Sequence, residues 1–456
     1  MNMPDPQLLA RLGEALRAGR DAEADAIAEA ILAQAPGHAP TLAALSLRAR
    51  QRGDVERARE LLHRGLEQDP RSSLLLFHLG AVDADAGALP ASEASLRAAI
   101  ETDPDNALAR FWLGDVLQRR GEQEQAVSAW MQALSCGERS GFLRAMSNGP
   151  DEVRERIEAA QAALRSARST AFDKALDPLR ERFGISVLAR VERAFAGYCG
   201  GEAPQPTHPL QQPSFLFVPG LPDKPWWQRE AFPHFAAIEA QTDAIREELL
   251  AVLADEDGLA PYVDMPDDAP AAPMWRTLNR SPRWSGYHLY RHGERIEEHA
   301  RRCPRTMAAL DALPLLRIPG HGPEALFSVL RPGTHIPPHT GVMNGRLTVH
   351  LPLIVPPDCG ALAVAREPRE WREGECLAFD DSFVHEAWNR SAHTRVVLIF
   401  DLWNPELSIG EREALSAGIA AIGDFHRRHG AADPVRERAA PNQPAVDMAH
   451  PADSPR

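Results

Sequence analysis

The chain has 456 residues, 44% hydrophobic and 25% charged, with a formal net charge of −14. That length allows two or three domains with sizeable cores, and the acidic balance argues against a general nucleic-acid or anionic-membrane binder. No apolar run reaches the length of a membrane span, and Met1 to Arg17 lacks the basic, apolar and small-residue pattern of a secretory signal, so a cytoplasmic location is expected.

The first third of the chain repeats itself. Gly19, Gly53, Gly87 and Gly121 fall 34 residues apart, as do Pro36, Pro70 and Pro104. Leu45, Leu79 and Leu113 keep the same step, and so do the small residues Ser46, Gly80 and Gly114. Ala24, Ala58 and Ala126 also keep it, with Ser92 in the missing slot. A 34-residue period is that of the tetratricopeptide repeat, a helix–turn–helix unit. Glycine breaks the chain between paired helices, and proline stops the second helix of each pair. One unit cannot bury its apolar face alone, so about four must stack, presenting a concave surface. Such a surface recruits a peptide or protein; bracing or dimerising the rest of the molecule is the alternative.

Helical spacing continues from Asp151 to about Ala203. A Pro-rich passage, Pro204 to Pro225, reads as a linker, and Phe232 to Leu253 reads as one amphipathic helix. Asp255 to Pro273 is acidic and Pro/Ala-rich, a candidate mobile loop. β-type segments follow at Gly286–Arg291, Ala325–Arg331, Arg346–Ile354, Ala361–Ala365, Glu375–Asp380 and Thr394–Trp403, interrupted by a helix at about Gly293 to Leu313. Many short strands with Gly/Pro turns predict a sandwich or barrel. After Glu411 comes one more helix, then a Pro/Ala/Asp tail from about Ala431 with the composition of a disordered segment. Cys136, Cys199, Cys303, Cys359 and Cys376 are scattered, form no CxxC pair, and read as reduced thiols.

Two stretches carry the chemistry: Pro338-His339-Thr340-Gly341 running on to Arg346-Leu347-Thr348-Val349-His350, and Phe379-Asp380-Asp381-Ser382-Phe383-Val384-His385-Glu386-Ala387-Trp388. Arg395 follows at the head of the run Val396–Phe400. Two histidines on separate β-segments with an arginine on the next strand suggest an iron site with a clamp for a dicarboxylate. Imidazole suits Fe(II), and the guanidinium fork grips a carboxylate with two parallel bonds. Period-two alternation puts Arg346, Thr348 and His350 on one face, the expected pocket wall.

From Trp284 to Leu407, through Ser328, these two stretches, Arg395 and Trp403-Asn404-Pro405-Glu406-Leu407, the chain resembles the aspartyl/asparaginyl β-hydroxylase family of Fe(II)- and 2-oxoglutarate-dependent dioxygenases. The resemblance implies a multidomain α + β protein: an N-terminal α-helical tetratricopeptide solenoid followed by a double-stranded β-helix, or jelly roll. The expected organisation is a repeat array over 1–140, a helical connector over 141–205, a catalytic domain over 206–410, and a C-terminal helix with disordered tail over 411–456.

The resemblance also assigns roles. His339 and His385 would be the iron ligands. The position two residues after His339, where most related dioxygenases carry a carboxylate, is Gly341; this family also lacks that carboxylate. Asp380 and Asp381 are expected to serve the turn before His385 through side-chain-to-backbone bonds. Arg395 would bind the distal carboxylate of 2-oxoglutarate, with Ser328, Thr348, His350 and Trp284 as further contacts. Thr348 stands where better-known members carry an arginine, which puts an aspartyl target in question. Trp371, Trp388 and Trp403 could dry the pocket or be core. The implied cofactors are Fe(II), 2-oxoglutarate and O2. The implied reaction is hydroxylation of an unactivated carbon, of an aspartyl, asparaginyl or other residue in a protein or peptide substrate. Alternatives are a small molecule or lipid acyl chain as substrate, or a catalytically inactive repeat adaptor.

Overall fold

The computed structural model describes residues 4–140 and 151–434, apart from 256, 268 and 270. The chain divides into two compact units, Met1–Ala167 with His426–Ala432 and Arg168–Phe425 with Asp433–Arg456. Residues 435–456, where most of the expected disordered tail falls, lie outside the described residues.

In the first unit, helices α1 (Pro6–Arg17), α2 (Asp21–Gln34), α3 (Ala39–Gln51), α4 (Val55–Leu66), α5 (Ser73–Asp85), α6 (Leu89–Thr102), α7 (Ala107–Arg119) and α8 (Gln123–Ser140) follow one another as four pairs. The repeated glycines sit at the break inside each pair, with φ of 64°, 78°, 76° and 82° for Gly19, Gly53, Gly87 and Gly121. Glycine takes this left-handed conformation without a Cβ penalty. It lets the next N–H turn back onto the helix just ended, as Ala88 N does to Asp83 O at 2.9 Å. The small residues serve close approach: a Cβ on Gly80 would lie 2.6 Å from Leu96 Cγ. Ser92, in the alanine slot, is fully buried and donates its hydroxyl to Gly80 O at 2.6 Å. This is the tetratricopeptide solenoid that the spacing predicts.

Two helices, α9 (Asp151–Phe183) and α10 (Ile185–Phe195), meet at Gly184, whose φ is 87°. In the second unit Phe172, Leu188 and Phe195 pack with Leu415 and Ile419 of the C-terminal helix Ile409–Arg428.

Twelve strands form the rest of the framework among the described residues. They are β1 (Trp226–Trp227), β2 (Ala260–Pro261), β3 (Trp284–Arg291), β4 (Glu294–Arg295), β5 (Ala325–Leu330), β6 (Thr334–His339), β7 (Arg346–Ile354), β8 (Ala361–Val364), β9 (Glu367–Glu370), β10 (Leu377–Phe379), β11 (His385–Asn389) and β12 (Arg395–Trp403). The larger sheet runs β1-β10-β7-β12-β5-β3-β2, with β4 on β3; the smaller runs β6-β11-β8-β9. All these strand pairs are antiparallel. The architecture is the double-stranded β-helix. Leu347, Val349 and Leu351 on one face of β7 join a core with Phe235, Ile245 and Leu249. Arg346, Thr348 and His350 take the other face and border the cavity.

Two expected helices are revised. The predicted helix near 293–313 is two, Glu297–Arg302 and Pro304–Asp311. Pro304 cannot continue a helix but fits the first turn of a new one. The predicted Phe232–Leu253 helix is also two, Phe235–Glu239 and Thr242–Asp255, with the Thr242 hydroxyl donating to Glu239 O at 2.6 Å across the break. The histidines stand on separate strands as expected, β6 and β11, whose bounds alternation does not reveal. β6 carries Pro337 and Pro338, tolerated because it is an edge strand.

Candidate active site

A cavity of about 390 Å³ opens between the two sheets. The smaller sheet brings the histidines together: His385 on β11 is the register partner of His339 on β6. Their ring centroids are 4.1 Å apart. His339 Nδ1 lies 2.8 Å from Pro337 O, and His385 Nδ1 lies 2.9 Å from Phe383 O. A carbonyl only accepts, so each Nδ1 carries the proton and each neutral ring keeps its lone pair on Nε2. Tying one ring nitrogen to a carbonyl is how metal-binding histidines are oriented. Burial lowers the pKa of His339 to about 3, helped by His385, and that of His385 to about 4. Both rings are therefore neutral, the form that binds metal. Trp275 meets the His339 ring edge-on at 5.4 Å.

No group of three His, Cys, Asp or Glu is arranged to hold a metal ion among the described residues. A metal on this pair needs its remaining ligands from outside the chain. Position 341 cannot supply one. A Cβ on Gly341 would run into the carboxylate of Asp381. Asp380 serves the turn as expected, its Oδ1 accepting from Ser382 N at 2.9 Å, and burial pushes its carboxyl up to about 8. Asp381 does not. It pairs instead with Arg346, leaving Oδ1 buried and without a partner.

The larger sheet supplies the anion-binding groups. Arg395, on β12, is 1% exposed, and Nη1 donates to Ser328 O at 3.3 Å. Its Nε is buried with no partner, and no carboxylate pairs with it among the described residues. Burial lowers its pKa to about 10. A buried, unpaired charge is costly unless a bound anion completes it. Ser328, on β5, accepts from Trp284 Nε1 at 3.1 Å, which frees its own hydroxyl proton. Trp284 borders the cavity with its N–H committed to Ser328, so its polar atom acts through that serine. His350 and Thr348 also border the cavity; burial first, then Arg395 and His385, lowers the pKa of His350 well below its usual range.

Sequence reasoning missed Asp401, which lies 3.6 Å from Arg346 Nη1 and whose carboxyl is pushed up to about 7 by burial. The signal was present: Arg395, Ile399 and Asp401 alternate along β12 onto the cavity face. Burial opposes the charge of Arg346, but Asp381 and Asp401 outweigh it and hold its pKa up. The segment expected to be a loop at 255–273 supplies Tyr262, stacked on Trp284 at 4.0 Å. Trp388 is partly buried and His335 approaches its ring edge-on at 6.5 Å; Trp403 joins the core with Leu407.

The family model described as Aspartyl/Asparaginyl beta-hydroxylase matches residues 239–405, and one described as Tetratricopeptide repeat matches 96–128. The chain is similar to an aspartyl/asparaginyl beta-hydroxylase of Homo sapiens, 28% identical over 73% of this chain and 43% of that protein. It is similar to an ornithine lipid ester-linked acyl 2-hydroxylase of Rhizobium tropici, 37% identical over 41% of this chain and 62% of that protein. An aspartate beta-hydroxylase domain-containing protein 1 of Mus musculus is 34% identical over 62% of this chain and 77% of its own length. The chain thus spans less than half of the human protein and less than two thirds of the rhizobial one.

Proposed function

The chain belongs to the aspartyl/asparaginyl β-hydroxylase family, and from that premise we propose that it is a hydroxylase that works with Fe(II), 2-oxoglutarate and O2 on a protein or peptide. The observation that carries the cosubstrate is Arg395, a buried guanidinium facing the cavity with no carboxylate among the described residues. His339 and His385 would hold the metal through Nε2. Arg395, the Ser328 hydroxyl and His350 would hold the dicarboxylate. Bound together, iron and 2-oxoglutarate supply the oxidising power to place one atom of O2 on an unactivated carbon, releasing succinate and CO2.

The residues of the chain orient and shield. The carbonyls of Pro337 and Phe383 hold both histidine rings in the metal-binding tautomer. Trp275 and Trp284 pack against the His339 ring, and Phe379 packs against that of His385, which shields those faces of the pair from water. On the β7 part of the wall Thr348 is uncharged and Arg346 is already matched by Asp381 and Asp401. That balance favours an uncharged target group, such as a carboxamide, over a free carboxylate. The repeat array would recruit the protein that carries the target.

The test is succinate formation from 2-oxoglutarate with Fe(II), screened against peptide, small-molecule and acyl-lipid pools, with mass spectrometry for a product heavier by one oxygen. A hydroxylated peptide supports the proposal. A hydroxylated acyl chain and no peptide product would replace it with the activity that the rhizobial relative's name describes. No succinate with any pool would sink it.

A further inference from the structure

Trp371 is 4% exposed and sits behind the residues that border the cavity. It directly follows β9, an edge strand of the smaller sheet, yet its hydrogen bond and its cation contact are to residues of the larger one. Its indole N–H donates to His350 Nδ1 at 3.2 Å, and the guanidinium carbon of Arg395 lies 4.5 Å above its ring centroid. Indole N–H is a donor only, so His350 Nδ1 must accept. A neutral His350 then carries its proton on Nε2. The ring face of Trp371 meanwhile supports the Arg395 guanidinium, whose only hydrogen bond within the described residues is the one to Ser328 O.

We propose that Trp371 is a positioning residue for 2-oxoglutarate: its N–H sets the His350 tautomer so that Nε2–H donates, and its ring face fixes the plane of the Arg395 fork. One side chain just beyond the smaller sheet thereby aligns two anion-binding groups on strands β7 and β12 of the larger. The inference rests on the proposed cosubstrate and goes beyond it, because Trp371 touches neither cosubstrate nor metal. The contacts divide cleanly. Phenylalanine would keep a ring face and lose the N–H, whereas leucine would lose both.

The full-length protein, labelled with ¹⁵N-histidine and free of metal, reads the tautomer directly by long-range ¹⁵N–¹H spectra, with His350 assigned by the loss of its signals in His350→Gln. The wild type is expected in the Nε2–H form alone, and Trp371→Phe in a mixture of both forms. In calorimetry with Mn(II) in place of iron, Trp371→Phe should bind 2-oxoglutarate about tenfold more weakly, the upper end for one lost neutral hydrogen bond. Trp371→Leu should bind it more weakly still, while both variants bind Mn(II) alone as the wild type does. A single unchanged tautomer in Trp371→Phe overturns the proposal. So does wild-type affinity for 2-oxoglutarate in both variants, or a parallel loss of Mn(II) binding, which would mark Trp371 as packing only. A wild type that takes up no 2-oxoglutarate overturns the proposed function itself, in the titration that precedes the variants.

Discussion

The Arg395 guanidinium, 1% exposed, places a charge where the folded chain gains little from it until an anion arrives. Truncating such a group relieves the protein without ligand and removes the ligand's partner. Arg395→Met should therefore melt at a temperature equal to or above the wild type's without ligand, by roughly 2–4 °C for each kcal/mol recovered. The same variant should lose about 2–5 kcal/mol of 2-oxoglutarate affinity, the scale for truncating one partner of a desolvated charge pair. A variant that melts lower and still binds would show the arginine to be structural. Gly341→Asp restores the usual triad on paper, but its side chain would run into the Asp381 carboxylate. It should melt lower than the wild type and bind metal no more tightly; tighter metal binding would show that Asp381 yields the space. His78, in the repeat array, is held neutral by burial and by Arg50, its pKa lowered from 6.5 to about 4. The unfolded chain binds the proton between those two values and the folded chain does not, so stability rises with pH across that window. Urea unfolding should therefore show stability that is fully present above about pH 6.5 and falls by roughly 1–3 kcal/mol toward pH 4. His78→Gln should lack this component, and a variant that loses as much on acidification would rule the histidine out.

At the scale of elements, the repeat array and the strands around the cavity differ in how openly the sequence declares them. Gly87 turns between α5 and α6 at φ 76°. Open space surrounds the position where its Cβ would stand, so only backbone strain opposes a side chain there. Gly87→Ala should cost roughly 1–2 kcal/mol in urea unfolding, the left-handed penalty for an L-residue. A neutral substitution would mean that the turn adapts. The same 34-residue step that exposes this glycine exposes the whole array, because each unit packs on a copy of itself. β7 was equally legible, Arg346–Ile354 in both sequence and structure, since one of its faces is apolar and the other polar. β6 and β11 were not. β6 holds two prolines on an edge, and β11 is buried almost throughout, so neither shows the alternation of a half-buried strand. The pairing of His385 with His339 is a register between segments far apart in the chain, and no local pattern encodes it.

At the scale of the molecule, no helix among the described residues is long and apolar enough to cross a membrane. All five cysteines are free. Leu74 on α5 and Leu108 on α7 recur at one repeat position and remain 39% exposed each. If the array recruits a protein substrate, the full-length double variant Leu74→Glu, Leu108→Glu should lose turnover of that protein and keep turnover of a short peptide, because recruitment raises effective concentration without touching the chemistry. Equal turnover of both substrates would sink recruitment. By itself the sequence determined the solenoid and the β-rich region that follows it, and it singled out His339, His385 and Arg395, all of which border one cavity. Each of these is written in local periodicity or in a short motif. Only the tertiary structure decided that Asp381 fills the space beside Gly341, that Asp381 and Asp401 neutralise Arg346, and that Trp371 stands behind both His350 and Arg395. Those are contacts between strands and turns brought together by sheet pairing and sheet stacking, and charge balance or burial has no value until the partners are in place.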